Sequence, residues 1–264
     1  MINNILTSLP FSGAMSSNIG GRRENQDSCD AAAAGDSIIV TVCDGMGGGP
    51  GGKTASSLAV DAIISYVKEH LDDDDADPSD VLRDAIIYAN SVLRKKIEEV
   101  PELEGMGTTV TAVILGPDHA TIAHVGDSRV YQMRGSRMMF RTADHSKVGE
   151  MVRSGDLTEE QARLSSFSNI ITRALGVADT VEVDVDTRPY EKGDRFILCT
   201  DGVWGAMPQK ELLKEFCRLK SLEGTLDQIN IEVEKAGKQK GGGHDNYTAI
   251  IIETKKSSIQ KETM

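Results

Sequence analysis

Ser37-Ile-Ile-Val-Thr-Val-Cys43-Asp44-Gly45 runs directly into Met46-Gly47-Gly-Gly-Pro-Gly-Gly52-Lys53-Thr54, and how this join is read decides the fold. The first half is a β-branched apolar run, which predicts a buried strand. Gly35-Asp36 before it marks a turn, so residues 30–34 are a candidate partner strand. The second half matches the phosphate-cradling pattern GxxxxGK[ST] letter for letter. Taken that way, Lys53 and Thr54, with Asp201 after the apolar run Phe196-Ile-Leu-Cys199 as a magnesium ligand, would make a P-loop nucleotide hydrolase (Gly47–Thr54).

A P-loop needs a right-handed crossover into a parallel sheet. The downstream pattern offers none. Ala55, Leu58, Ala62, Ile63, Tyr66 and Val67 recur at helical spacing. So do Leu82, Ala85, Ile86, Ala89, Leu93, Ile97 and Val100, which makes two helices in succession. The acidic stretch 72–78 between them reads as a solvated linker, because like charges repel, with Asp77 or Ser79 capping the second helix. After Gly107, four apolar segments follow at 108–115, 120–125, 129–133 and 138–142, separated by Gly-containing turns. They predict an antiparallel meander. Residues 143–176 are polar and partly helical, an insertion. Strands are expected at 181–185, 195–200 and 247–252, with helices at 209–220 and 224–237. Strands in runs and helices in pairs predict an α+β chain rather than alternating βαβ units. One domain over residues 1–254 with a disordered tail at 255–264 is expected.

The 264 residues carry a net charge of −12, which repels nucleic acid and anionic membranes. Four separated cysteines form no CxxC pair, so no cysteine zinc site is expected. No apolar run reaches membrane-spanning length, and residues 1–13 lack the features of a leader. A cytoplasmic monomer is the expected state.

The chemistry sits in short elements of one design: an aspartate at the end of an apolar strand, beside a Gly or Asn turn. Asp44, Asp127, Asp201 and Asp245 share it, and Asp27 lies before a strand. If those strand ends converge, the carboxylates repel unless cations neutralise them. Oxygen ligands without a Cys or His cluster select Mg²⁺ or Mn²⁺.

The set Arg22-x-x-Asn25-Gln26-Asp27, Asp44-Gly45-Met46-Gly47-Gly48, Gly107-Thr108-Thr109, Gly126-Asp127-Ser128-Arg129, Asp201-Gly202-Val203-Trp204 and Asp245-Asn246-Tyr247-Thr248 resembles the metal-dependent protein phosphatases of type 2C, in order and spacing, over residues 16–252. The insertion, with Val152-Arg-Ser-Gly155 and Ile171-Thr-Arg-Ala-Leu-Gly176, is similar to the flap of bacterial members. The resemblance implies two antiparallel β-sheets packed as a sandwich and flanked by pairs of α-helices. It implies hydrolysis of phosphoserine and phosphothreonine in phosphoproteins, the targets of a serine/threonine kinase, by a water activated by two Mg²⁺ or Mn²⁺ ions. Asp44 would bridge the ions with the Gly45 carbonyl as a further ligand. Asp201 and Asp245 would complete the coordination of the first metal, and Asp27 would act beside the second metal. Asp127 would share a third, weaker site with Asp201. Arg22 would bind phosphate and, with Asp44, form the catalytic pair; Arg23 is its neighbouring candidate. A catalytically inactive regulatory relative is the rival from another class.

The chain departs from the family pattern in three places. Met46 stands where some members carry a histidine acid, so a water must protonate the leaving group. Gly205 stands where some carry an acid, which weakens the third site. Ser168 stands where the flap has a basic residue before its Asn169. His145 and His244 are expected as turn residues, Trp204 as a core residue beneath the metal loop, and Lys53 as a local cap or pair.

Overall fold

A computed structural model describes residues 9–47, 51–73, 75–218 and 221–256. Part of the glycine-rich loop (48–50), Asp74 of the acidic linker and residues 257–264 of the expected tail lie outside them.

The apolar run that opens the case is β3 (Ser37–Met46), and it pairs antiparallel on both sides. Its neighbours are β2 (Asp27–Ala34) and β5 (Val110–Leu115). No parallel strand lies beside it, so the P-loop reading fails. Lys53 confirms this locally: its ammonium donates to the Asp27 carbonyl (2.9 Å) and to Ser28 Oγ (3.0 Å), tying helix α1 (Gly51–His70) down onto β2. α1 packs beside α2 (Pro78–Glu99), whose first turn is capped by the Asp77 carboxylate accepting from Ser79 N–H.

The first sheet runs β2-β3-β5-β6-β9, with the two-residue β4 (Gly107–Thr108) on the far end of β3; β6 is Ala120–Val125 and β9 Asp184–Arg188. The second runs β1-β11-β10-β7-β8, where β1 is Phe11–Asn18, β7 Arg129–Arg134, β8 Arg137–Arg141, β10 Asp194–Cys199 and β11 Tyr247–Thr254. The expected four-strand meander is therefore two hairpins in two different sheets. β5 pairs with β6 and β7 with β8, while the chain changes sheet between β6 and β7. Gly126, at φ +104°, makes that change of direction possible. Two other expectations shift. The strand expected at 181–185 is β9, displaced because its partner β6 ends at Val125, one pair beyond His124↔Asp184. β1 escaped the sequence reading because Ser12, Gly13, Ala14, Ser16 and Ser17 carry little strand signal. β11 recruits it along its whole length.

Alternation explains why the strands read as continuous apolar runs. Ile38, Val40 and Val42 of β3 face the gap between the sheets, against Val130, Phe196, Leu198, Ile250 and Ile252. Ile39 and Cys43 face outward, yet they are covered by α1 and α2. On the other sheet Tyr131, Ile197, Cys199 and Ile251 face α5 (Asp201–Trp204), α6 (Gln209–Arg218) and α7 (Leu222–Gln239). Both faces of the central strands of both sheets are thus buried, giving four layers, helices–sheet–sheet–helices. The flap leaves this body after β8 and holds α3 (Lys147–Ser154) and α4 (Glu159–Arg163). No helix among the described residues is long and apolar enough to cross a membrane.

Candidate active site

The ends of the central strands bring the predicted acids together at one rim of the sandwich. Asp27 opens β2 and stands opposite Asp44 in the β2–β3 ladder. Asp127 follows β6, Asp201 opens α5 just after β10, and Asp245 precedes β11. A cleft of about 460 Å³ is lined by Asp44, Asp127, Asp201 and Asp245, with Gly45, Met46, Arg22 and Arg23 around them. Asp27 lies beneath it, buried at 1 % exposure. Arg22, Arg23, Asp44, Gly45, Asp127, Asp201 and Asp245 thus border one place, with Asp27 beneath it. Gly45 is there because nothing larger fits: a Cβ would stand 2.0 Å from the Gly52 carbonyl oxygen. His145 and His244 do not line the cleft.

Electrostatics say what the place requires. Burial, then repulsion from Asp201, Asp27, Asp127 and Asp245, holds the Asp44 carboxyl well above the usual carboxylate range. Burial and the charge of Asp201 do the same for Asp127. Asp27 is pushed up to about 7, chiefly by burial and against the hydrogen bonds of Thr248 and Thr200. Asp201 is pushed up to about 6 by burial and then by Asp245, with a hydrogen bond from Asp44 working the other way. Two carboxylate oxygens, Asp27 Oδ1 and Asp201 Oδ1, are buried with no hydrogen-bond partner. Unpartnered buried acceptors among mutually repelling acids call for hard divalent cations, so the donor set fits Mg²⁺ or Mn²⁺.

A pH dependence follows. A raised carboxylate pKa means the folded chain holds protons that the unfolded chain has released, so stability falls as pH rises through the interval between the two values. For Asp27 and Asp201 that interval runs from the ordinary aspartate value of 3.8 to about 7 and about 6. The depressed acids, Asp184, Asp194, Glu160 and Glu234, have completed their opposite contribution by about pH 5; the desolvated His124 and His145 still oppose the fall up to about pH 6.5, two groups against the four raised acids Asp27, Asp44, Asp127 and Asp201. The melting temperature of cation-free protein is therefore expected to fall between pH 5.5 and 7.5, and Mn²⁺ to raise it more at 7.5 than at 5.5. Calorimetry at the two pH values checks this; a cation-free melting temperature that rises over this range would contradict the assignment.

Several residues without an assigned role turn out to hold the rim. Thr109 Oγ1 accepts from Asp44 N–H (3.0 Å) and shares a hydrogen bond with Ser128. Asn246 accepts from Gln26 N–H and donates to the Ile19 and Glu24 carbonyls, stitching the Arg22 loop to the Asp245 turn. Trp204 is buried, as expected, and its indole N–H donates to the Asp127 carbonyl (3.0 Å). Arg129 lies over its ring at 3.7 Å and forks onto Asp144 (2.8 and 2.6 Å). Only the short motifs around Thr109, Arg129 and Asn246 marked these positions in the sequence; their partners lie elsewhere in the chain.

A second cluster, His124, His145 and Asp184, has its ligand atoms within 4.8 Å of one another. Its hydrogen bonds speak for an anchor. His145 Nδ1 accepts from Gly126 N–H, so the neutral ring keeps its proton on Nε2, facing Asp184 at 3.2 Å. Arg173 already neutralises Asp184. His145 therefore fastens the Asp127 loop to the base of the flap, a role beyond the turn expected of it.

A sandwich with a buried acid cluster at its rim and an arginine at the mouth defines a class: a cation-requiring site for an anionic ester. Comparison with known proteins narrows it. The sequence pattern described as protein phosphatase 2C matches residues 16–228. A serine/threonine phosphatase stp of Listeria welshimeri is 35 % identical over 89 % of this chain and 88 % of its own. The crystal structure of the serine/threonine phosphatase PstP/Ppp of Mycobacterium tuberculosis superposes with a TM-score of 0.80 at 30 % identity, covering 93 % of this chain and 99 % of that one. The catalytic domain of PstP in complex with two manganese ions gives 0.77 at 28 % identity, over 92 % and 97 %. The chain belongs to the protein phosphatase 2C family.

Proposed function

We propose that the chain removes phosphate from phosphoserine and phosphothreonine in proteins, using two Mg²⁺ or Mn²⁺ ions held by Asp44, Asp201 and Asp245, with Asp27 beside the second ion and Asp127 at a weaker third. The convergence of five acids on one rim, with two carboxylate oxygens left unpartnered, carries the reading. When bound, such ions lower the pKa of a water and offset charge on phosphoryl oxygens.

The chain's own groups set the rest. Asp44 is central, since its carboxyl feels all four of the other acids. Arg22 stands at the mouth, half exposed, with Nη2 2.7 Å from Asp245 Oδ2. Its planar fork suits two phosphoryl oxygens, and its contact with Asp245 aims it across the acid cluster. Met46 lines the cleft and has no proton to give, so the serine or threonine oxygen takes its proton from water. The substrates would be the products of a serine/threonine kinase.

Hydrolysis of a phosphothreonine peptide is expected to stop with chelator and return with Mn²⁺. In Arg22→Ala, KM is expected to rise about tenfold or more, the worth of a charge-assisted hydrogen bond of roughly 1.5–3 kcal/mol. Turnover that survives chelation would refute the reading.

A further inference from the structure

A second cavity, of about 260 Å³, lies on the other side of Trp204, between the flap helices and the start of α6. Its apolar wall is made by Val148, Val152, Ala162 and the Trp204 ring. Its polar lining is cationic: Arg129, Arg141, Arg153, Arg163 and Lys210 against Asp144, Glu159 and Glu160. Each acid is already taken, Asp144 by Arg129, Glu159 by Arg141 and Glu160 by Arg163. Arg153 spends one N–H on the Asp144 carbonyl (2.8 Å), a neutral acceptor. Among the described residues, neither Arg153 nor Lys210 has a carboxylate within ion-pair distance. Two uncompensated cations beside an apolar wall, in a chain of net charge −12, are a local reversal of the protein's field.

We propose that this cavity is an effector site for a small carboxylate carrying a single apolar ring. The charge calls for an anion, and the wall for a hydrophobic body. The volume of about 260 Å³ lies at the bottom of the roughly 300–1,000 Å³ range of small-molecule sites, which favours a small occupant. A ring against Trp204 would press on the indole whose N–H holds the Asp127 carbonyl and whose face carries Arg129. Occupancy therefore alters the acid cluster. That second half rests on the phosphatase reading; binding does not.

Trp204 is the only tryptophan in the chain, so its fluorescence reports the cavity directly. Titration with 4-bromobenzoate, whose bromine quenches indole on contact, is expected to give saturable quenching. The double variant Arg153→Gln/Lys210→Gln should weaken it at least fivefold, and the neutral 4-bromobenzamide should bind at least tenfold more weakly. Val152→Phe fills the cavity and should abolish quenching; the charge variants, on exposed side chains, keep the test decisive if it fails to fold. At saturation, turnover of p-nitrophenyl phosphate with Mn²⁺ should change at least twofold. Absence of saturable quenching, equal quenching by the amide, or quenching with unchanged turnover would overturn the proposal. Because quenching is read without turnover, an inactive protein would leave the binding arms intact.

Discussion

Asp44→Asn is expected to lose about three orders of magnitude in phosphatase turnover while its cation-free form melts higher than the native chain. Both follow from the same geometry. The substitution keeps size and shape and removes one charge. In the proposed reading that charge holds cations on both sides, and Asp201, Asp27, Asp127 and Asp245 all act on it. Charge stabilisation by bound cations is worth several kcal/mol, and each 1.36 kcal/mol is a factor of ten in rate. Without cations the sign reverses. Asp44 then only adds repulsion among buried acids, so replacing it relieves the fold. Turnover of p-nitrophenyl phosphate in Mn²⁺, paired with calorimetry in chelator, reads the two effects separately. Activity within tenfold of the native chain, or a lower cation-free melting temperature, would show that Asp44 is not the centre of the site.

Loss of Arg129 strikes stability instead. Its guanidinium and the Asp144 carboxylate are each about 7 % exposed and form a two-pronged pair. The third arm donates to Tyr131 Oη (3.1 Å), and the face stacks on Trp204. Arg129→Ala strands a buried carboxylate, which costs about 3–5 kcal/mol. At this chain length each 1 kcal/mol lowers the melting temperature by about 2–4 °C. Replacing both partners with apolar groups of similar size, Arg129→Met with Asp144→Leu, should recover most of the loss, because no uncompensated charge remains. Urea denaturation of the two single variants and the double closes the cycle; a single-variant cost under about 1 kcal/mol would show the pair to be solvated.

Particular elements show how far the sequence reaches. The β3 run, the two helices after it and the helices α6 and α7 were legible because apolar periodicity is a local property. The partition of β5–β6 and β7–β8 between sheets was not. A glycine turn looks the same whether it closes a hairpin or carries the chain to another layer, and only the packing of Val113 and Ile122 against Val130 and Phe196 separates the two. β1 was invisible for a related reason: its pairing strength resides in β11. The same holds at the site. The acids were found by their repeated setting at strand ends, whereas the hydrogen bond from Trp204 to Asp127 and the fork of Arg129 on Asp144 join positions with no common local pattern.

The sequence by itself determined which residues are proposed to carry the chemistry, because an aspartate beside a glycine at the end of an apolar strand is written in adjacent letters. Only the tertiary structure decided that these letters meet. Convergence depends on which strand ends share a rim, and that is set by pairing and layer packing between segments more than two hundred positions apart. It also decided the meaning of the glycine-rich loop: an antiparallel neighbour on each side of β3 and a lysine bound to β2 leave no seat for a nucleotide.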